Sequence, residues 1–283
     1  MITIKNEHIT ASFATLGAEL KSFVYNGVEY IWPGSEKSWK GSAPILFPIC
    51  SGLKDDTYYL DGKKYQLQKH GYARFCEFEV ENQTEDSVTF LLCSDEESKK
   101  VYPFDYELRI VYSLTDNGLK IDYNVKNLSD DTMYFSIGAH EGYLCPEGIE
   151  EYDIVLPEKE TLYTYVLDGN VLSEEKQLII ENDDKIALKY DYFSVDALVF
   201  KDIKARSVNL KHRNSSREIK VNFDGFDYLL IWTIPRENYI CIEPWCGITD
   251  NATTDQNFKT KEGILKVDKN STYLCSHSFE ILG

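Results

Sequence analysis

The sequence predicts an all-β chain folded as a single large β-sandwich. Two observations carry that expectation: side chains alternate with a period of two in many short runs, and two-residue turn signals punctuate them. Composition adds a third, because twenty Tyr and fourteen Phe favour strands, where aromatic rings pack well on a pleated surface. No segment sustains a 3.6-residue period, so helices are expected to be scarce.

In chain order, the turn signals are Asn26-Gly27 between SFVY and VEYIW, Asp61-Gly62 between TYYL and KKYQL, and Asn117-Gly118 between YELRIVYSLT and LKIDYNV. Each pair tolerates the positive φ of a type I′ turn, so each predicts a hairpin. The stretch 153–190 reads as acidic loops with short apolar runs. Segments 219–223 (IKVNF) and 272–281 (TYLCSHSFEI) alternate as half-buried strands. No Pro/Gly/Ser-rich linker and no solenoid-length repeat interrupts residues 1–283, which points to one domain. Apolar residues make up 43% of the chain, enough for one core.

Charge and cysteine usage exclude several classes. A net charge of −17 repels polyanions, and nucleic-acid binding needs a basic face. The one basic cluster is Lys201, Lys204, Arg206, Lys211, Arg213, Arg217 and Lys220, around a turn at Asn214-Ser215-Ser216, and reads as a solvated hairpin. Seven Cys with no CxxC pair argue against a disulfide framework or zinc knuckle and for reduced thiols in a cytoplasmic protein. MITIKNEHIT lacks the basic start and apolar run of a signal peptide. No run approaches the roughly 18 apolar residues of a membrane span. Walker A, GxGxxG, HExxH and GxSxG motifs are absent.

Three segments surround a titratable residue with small or aromatic neighbours: Lys69-His70-Gly71-Tyr72-Ala73-Arg74-Phe75, Ile137-Gly138-Ala139-His140-Glu141-Gly142-Tyr143 and Cys241-Ile242-Glu243-Pro244-Trp245-Cys246-Gly247. His140 ends a strand between two glycines, which leave room for a ligand; it reads equally as a core histidine. Alternation places Glu243 on the strand face of Tyr239 and Cys241, opposite Ile240 and Ile242. Trp245 follows two residues later, and a carboxylate beside an indole is a usual wall for a sugar. Judged alone, Glu243 also reads as a strand-end carboxylate facing water. Arg74 follows His70 by four residues, and Asp196 lies between aromatic pieces.

Together, in order, these segments resemble the aldose 1-epimerase (mutarotase) family, and its LacX-like branch in particular. The resemblance runs nearly end to end: Leu16-Gly17-Ala18-Glu19-Leu20, Tyr30-Ile31-Trp32, Pro44-Ile45-Leu46-Phe47-Pro48, HGYAR, GAHEGY, VDALVF, IEPWCGITD and Lys261-Glu262-Gly263-Ile264. It implies a galactose-mutarotase-like supersandwich, a free sugar as the small-molecule partner, no cofactor or metal, and a monomer or homodimer. It also implies His140 as the acid at the ring oxygen and Glu243 as the base at the C1 hydroxyl. His70 becomes a second imidazole near the reacting centre, and Asp196 a ligand for a sugar hydroxyl. One position departs. Gly52 stands where many members carry an arginine, with Lys54 and Arg74 the nearest cations to replace it.

Mutarotation wants one acid and one base on opposite sides of the C1–O5 unit, each worth ~10²–10⁴-fold. Three rival readings stand beside it. A hexose-6-phosphate 1-epimerase needs cations at the phosphate, from Arg74 or the 201–220 cluster. A non-catalytic carbohydrate-binding module would use Trp32, Trp39, Trp232 and Trp245 as stacking platforms. A glycosidase would pair Glu141 with Glu243, although Glu141 is next to His140 and a strand points it the other way.

Overall fold

The computed structural model describes residues 1–283. An antiparallel meander, Ile2–Lys5, Ile9–Phe13, Leu20–Tyr25 and Val28–Glu29, opens the chain. The largest sheet has nine antiparallel strands. From one edge to the other these are Val171–Ala187, Tyr152–Asp168, Ser207–His212, Glu218–Asn222, Thr272–Ile281, Gly118–Asn127, Tyr106–Leu114, Ser87–Cys93 and Glu79–Gln83. The only α-helix is the single turn Ser98–Val101.

A smaller sheet carries the site. In chain order its strands are β1 (Ile137–Gly138), β2 (Glu141–Leu144), β3 (Leu198–Phe200), β4 (Tyr228–Trp232) and β5 (Tyr239–Cys246). β5 is central: β1 and β2 pair along one side of it and β4 along the other. All eight residues of β5 are buried. Ile240 and Ile242 face inward and share one contiguous core with Ile121, Val221 and Phe279 of the nine-stranded sheet. Period-two geometry then turns Tyr239, Cys241, Glu243 and Trp245 the other way.

Asn26-Gly27 and Asp61-Gly62 form the expected two-residue turns, all four residues at positive φ. The third hairpin forms too, but its turn residues are Asp116-Asn117, with the Thr115 amide bonded to the Gly118 carbonyl. Gly118 already belongs to the next strand. Glycine is needed there because a Cβ would lie 2.0 Å from the Phe279 carbonyl oxygen. Segment 272–281 is a strand as expected, and the strand expected at 219–223 runs from Glu218 to Asn222.

The stretch 153–190 differs from its reading as loops. Most of it is a long hairpin, Tyr152–Asp168 against Val171–Ala187, with Gly169 and Asn170 at its tip. Four register shifts interrupt the ladder. At each, the two strands advance by unequal numbers of residues, so no unbroken alternation survives in the sequence. The basic cluster surrounds a hairpin turn, as expected, and three of its seven members are ion-paired. Lys201 meets Glu262, Lys211 meets Glu218 and Arg213 meets Asp153. Arg206 and Arg217 donate to backbone carbonyls.

Candidate active site

A cleft of about 410 Å³ lies over the outward face of β5 and β4. All six candidate residues line it: His70, Arg74, His140, Asp196, Glu243 and Trp245. They come from four separate segments, so the fold, not sequence proximity, assembles the site.

His140 occupies the link between β1 and β2, opposite Glu243 of β5, and its Nε2 lies 3.4 Å from Glu243 Oε2. Trp39 stacks on the imidazole at 5.1 Å between ring centroids, while Trp232 and His70 meet it edge-on at 5.7 and 5.4 Å. The glycines beside His140 serve these rings. A Cβ at Gly138 would lie 2.5 Å from Trp245 Cδ1, and one at Gly142 would lie 2.7 Å from Trp39 Cζ3. The room expected for a ligand is therefore taken by two indoles: Trp39, stacked on the His140 imidazole, and Trp245, edge-on to His70.

Burial sets the charge state of the pair. Desolvation pushes His140 down to about 3 and pushes the Glu243 carboxyl well above the usual carboxylate range. Lys69 opposes the shift on Glu243, while Asp196 and Glu141 add to it. Burial thus favours the neutral form of each group, imidazole and carboxyl alike.

His70 is held differently. Its backbone sits at φ +69°, a region that costs a non-glycine residue about 1 kcal/mol or more. Two bonds clamp it. The Ser51 amide donates to His70 Nδ1 at 3.1 Å, and the His70 amide donates to the Ser51 carbonyl at 2.8 Å. An acceptor Nδ1 leaves the proton on Nε2, so His70 is a neutral ring with one N–H to donate. Burial foremost, with the Lys69 and Arg74 charges adding to it, holds its pKa well below the imidazole range.

Asp196 precedes β3, with its carboxylate 3.4 Å from Lys69 Nζ. Arg74 donates from Nη2 to the Lys69 carbonyl at 3.1 Å and lies over the Phe75 ring. It makes no ion pair, and its Nε is buried without a partner. Trp245 forms the floor, fully buried, its indole N–H spent on the Ala139 carbonyl at 3.0 Å. Trp32 stays outside the cleft and braces Trp39 by donating to its carbonyl. Glu141 points into the core and pairs with His277 at 3.1 Å, as the alternation required. That removes it from any carboxylate pair with Glu243.

Gly52 now has a physical reason. A Cβ there would lie 2.7 Å from the Asn170 carbonyl oxygen at the tip of the long hairpin. The tip is pinned by Thr249 Oγ1, which donates to the Asn170 carbonyl, and by the Leu172 amide, which donates to the Asp250 carbonyl. The space beside residue 52 is thus filled by backbone, and Leu167 from the same hairpin lines the cleft. Lys54 does not replace an arginine: its Nζ bonds the Ala252 carbonyl outside the cleft. Arg74 does line the cleft. The lining residues not singled out from sequence as binding groups include Ser51, Lys69, Leu167 and Phe193. For Leu167 a signal existed: Asp168-Gly169 between YVL and NVL is the same turn dipeptide as Asp61-Gly62.

Known proteins agree with this architecture. Over 99% of both chains, the sequence is 33% identical to the plasmid-encoded protein LacX of Lactococcus lactis subsp. lactis. The crystal structure of a galactose mutarotase related enzyme from Lactobacillus acidophilus superposes with a TM-score of 0.95 at 34% identity, covering 100% of this chain and 97% of that one. A galactose mutarotase-like protein from Lactobacillus casei gives 0.93 at 28%, over 99% of each. A putative glucose-6-phosphate 1-epimerase of Escherichia coli (strain K12) is 29% identical over 115 residues, 38% of this chain and 37% of its own. The fold is galactose mutarotase-like, and residues 1–276 match the family description aldose 1-epimerase. The chain belongs to the aldose 1-epimerase family.

Proposed function

We propose that the protein interconverts the α and β anomers of an aldose, with His140 and Glu243 as the proton-transfer pair. The observation that carries this reading is the buried 3.4 Å contact between them on the floor of an open cleft. The pair holds one proton. Transfer from Glu243 to His140 gives imidazolium and carboxylate. Glu243 then takes the C1 hydroxyl proton while His140 protonates the ring oxygen, and the C1–O5 bond opens. The proton is back on Glu243, the imidazole is neutral, and C1–C2 rotation turns the other carbonyl face to the ring oxygen. Closure runs both transfers in reverse. His70 donates its Nε2–H to a sugar oxygen, Asp196 accepts from a sugar hydroxyl, and Trp39 and Trp232 wall the apolar C–H face.

A second reading concerns the substrate. Arg74 is a cleft cation without a carboxylate partner in a chain of net charge −17. It favours an aldose bearing an anionic group, such as a hexose 6-phosphate, over a neutral one. The 201–220 cluster, absent from the cleft lining, gives this reading no support.

Saturation-transfer NMR across neutral and 6-phosphorylated aldoses tests both. Glu243→Gln and His140→Ala should each slow anomer exchange by ~10²–10⁴-fold without unfolding the chain; near-wild-type exchange in either sinks that residue's role. If the anionic substrate is right, Arg74→Gln raises KM for the phosphorylated sugar and leaves neutral sugars nearly unchanged. An equal effect on both refutes it.

The pH profile of kcat/KM should show no inflection near the ordinary imidazole value of about 6.5. Its acid limb needs a second proton on the pair, which His140 resists down to about 3. Its alkaline limb is loss of the single proton from Glu243. Stability should follow the same group. A carboxyl raised by folding stabilises fully below its unfolded value, and that contribution is lost as pH rises towards the folded one. Thermal melts should therefore show Glu243→Gln gaining on the wild type as pH rises above about 4.5 and matching it below. A gap that is constant across pH would contradict the burial argument.

A further inference from the structure

Cys241 lies on the cleft side of β5, two residues before Glu243, and has no part in the proton transfer. A ring nitrogen of His140, the Cys241 sulfur and a carboxylate oxygen of Glu243 all lie within 4.8 Å of one another, and all three residues are buried. Nitrogen, thiolate and carboxylate are the donors zinc takes in proteins. Tetrahedral zinc, with Zn–N and Zn–O near 2.0–2.1 Å and Zn–S near 2.3 Å, sets its N and O donors about 3.3 Å apart and sulfur about 3.6 Å from either. The His140 Nε2–Glu243 Oε2 separation of 3.4 Å already matches. The sulfur has at most about 1.2 Å to close on the same geometry. Trp39, stacked on His140, fixes the ring plane. His140 and Glu243 line the cleft, from which water would supply a fourth donor, while Cys241 lies behind them, outside its lining.

We propose that His140, Cys241 and Glu243 form a binding site for zinc and similar thiophilic divalent cations, and that occupancy switches the enzyme off. Binding needs a thiolate, a carboxylate and a neutral imidazole, so two protons leave to solvent: one from Cys241 and the one the pair shares. The metal thereby takes both groups of the proton-transfer pair. Magnesium and calcium, which prefer six or more oxygen donors, are poor occupants. The inhibitory consequence rests on the function proposed above; the site itself does not.

Two titrations test this on protein first stripped with a chelator. In the first, Zn²⁺ is added while anomer exchange is followed. In the second, Co²⁺ is added while the near-ultraviolet thiolate-to-cobalt charge-transfer band is followed. We expect inhibition by Zn²⁺, competitive with sugar and reversed by chelator, and a cobalt band at one equivalent. Cys241→Ser should keep exchange activity and lose the band. Its inhibitory Zn²⁺ concentration should rise at least as much as the roughly 10–100-fold cost of removing an outer-shell partner. No band in the wild type, or an undiminished band and equal inhibition in Cys241→Ser, overturns the proposal. Cys241→Ala replaces the serine variant if that fails to fold. Should no aldose be turned over, the cobalt titration decides the site alone, which separates its failure from failure of the proposed activity.

Discussion

An imidazole and a carboxyl group desolvated side by side are the constraint around which the cleft is arranged. Holding both as ions out of water would cost several kcal/mol each unless their attraction and further hydrogen bonds repaid it. The fold favours the neutral form of each, and it uses β5 to do so. A strand buried on both faces lets one side build the core with Ile240 and Ile242 while the other presents Glu243 to a nearly dry floor. The rest follows from keeping that floor dry. Trp39 closes on His140, and Trp245 on His70, through gaps that only glycine at 142 and 138 leaves open. His70 is restricted to one tautomer by a backbone amide, so the second imidazole does not compete for the shared proton.

How much of this was legible in the sequence depended on whether a local rule carried the information. Alternation placed Glu243 on the correct face of its strand and turned Glu141 away from it, because strand geometry leaves little freedom once the strand is identified. The turn dipeptides located hairpins for the same reason. Asn117-Gly118 led to the right hairpin with the turn one residue off, because that glycine is needed by a neighbouring strand's carbonyl, a requirement no local pattern displays. The 152–187 hairpin was obscured by its bulges, although Asp168-Gly169 marked its tip. The glycines beside His140 were recognised as close-approach positions, but what approaches is a pair of indoles. Trp39 comes from an irregular segment and reaches the imidazole only through tertiary closure. Lys69 was in plain view inside a quoted segment, yet nothing in that segment says which of its polar groups faces the cleft.

The likeness to known structures extends along the whole chain, so the family and the fold stand independently of the cleft. The cleft adds what family membership does not. It gives the direction in which burial drives each member of the pair, the tautomer of His70 and an arginine without a carboxylate.

The contact between Gly52 and Asn170 has a consequence for protein engineering. The two residues are 118 positions apart in sequence, yet the backbone at one excludes a side chain at the other. They form a single exchangeable unit. A chimera that imports an arginine-bearing segment at 47–54 from a relative must also import that relative's hairpin, or the incoming side chain and the resident tip will occupy the same volume. Substitutions at the two sites will therefore be strongly epistatic, and libraries that vary only one will under-sample the functional combinations.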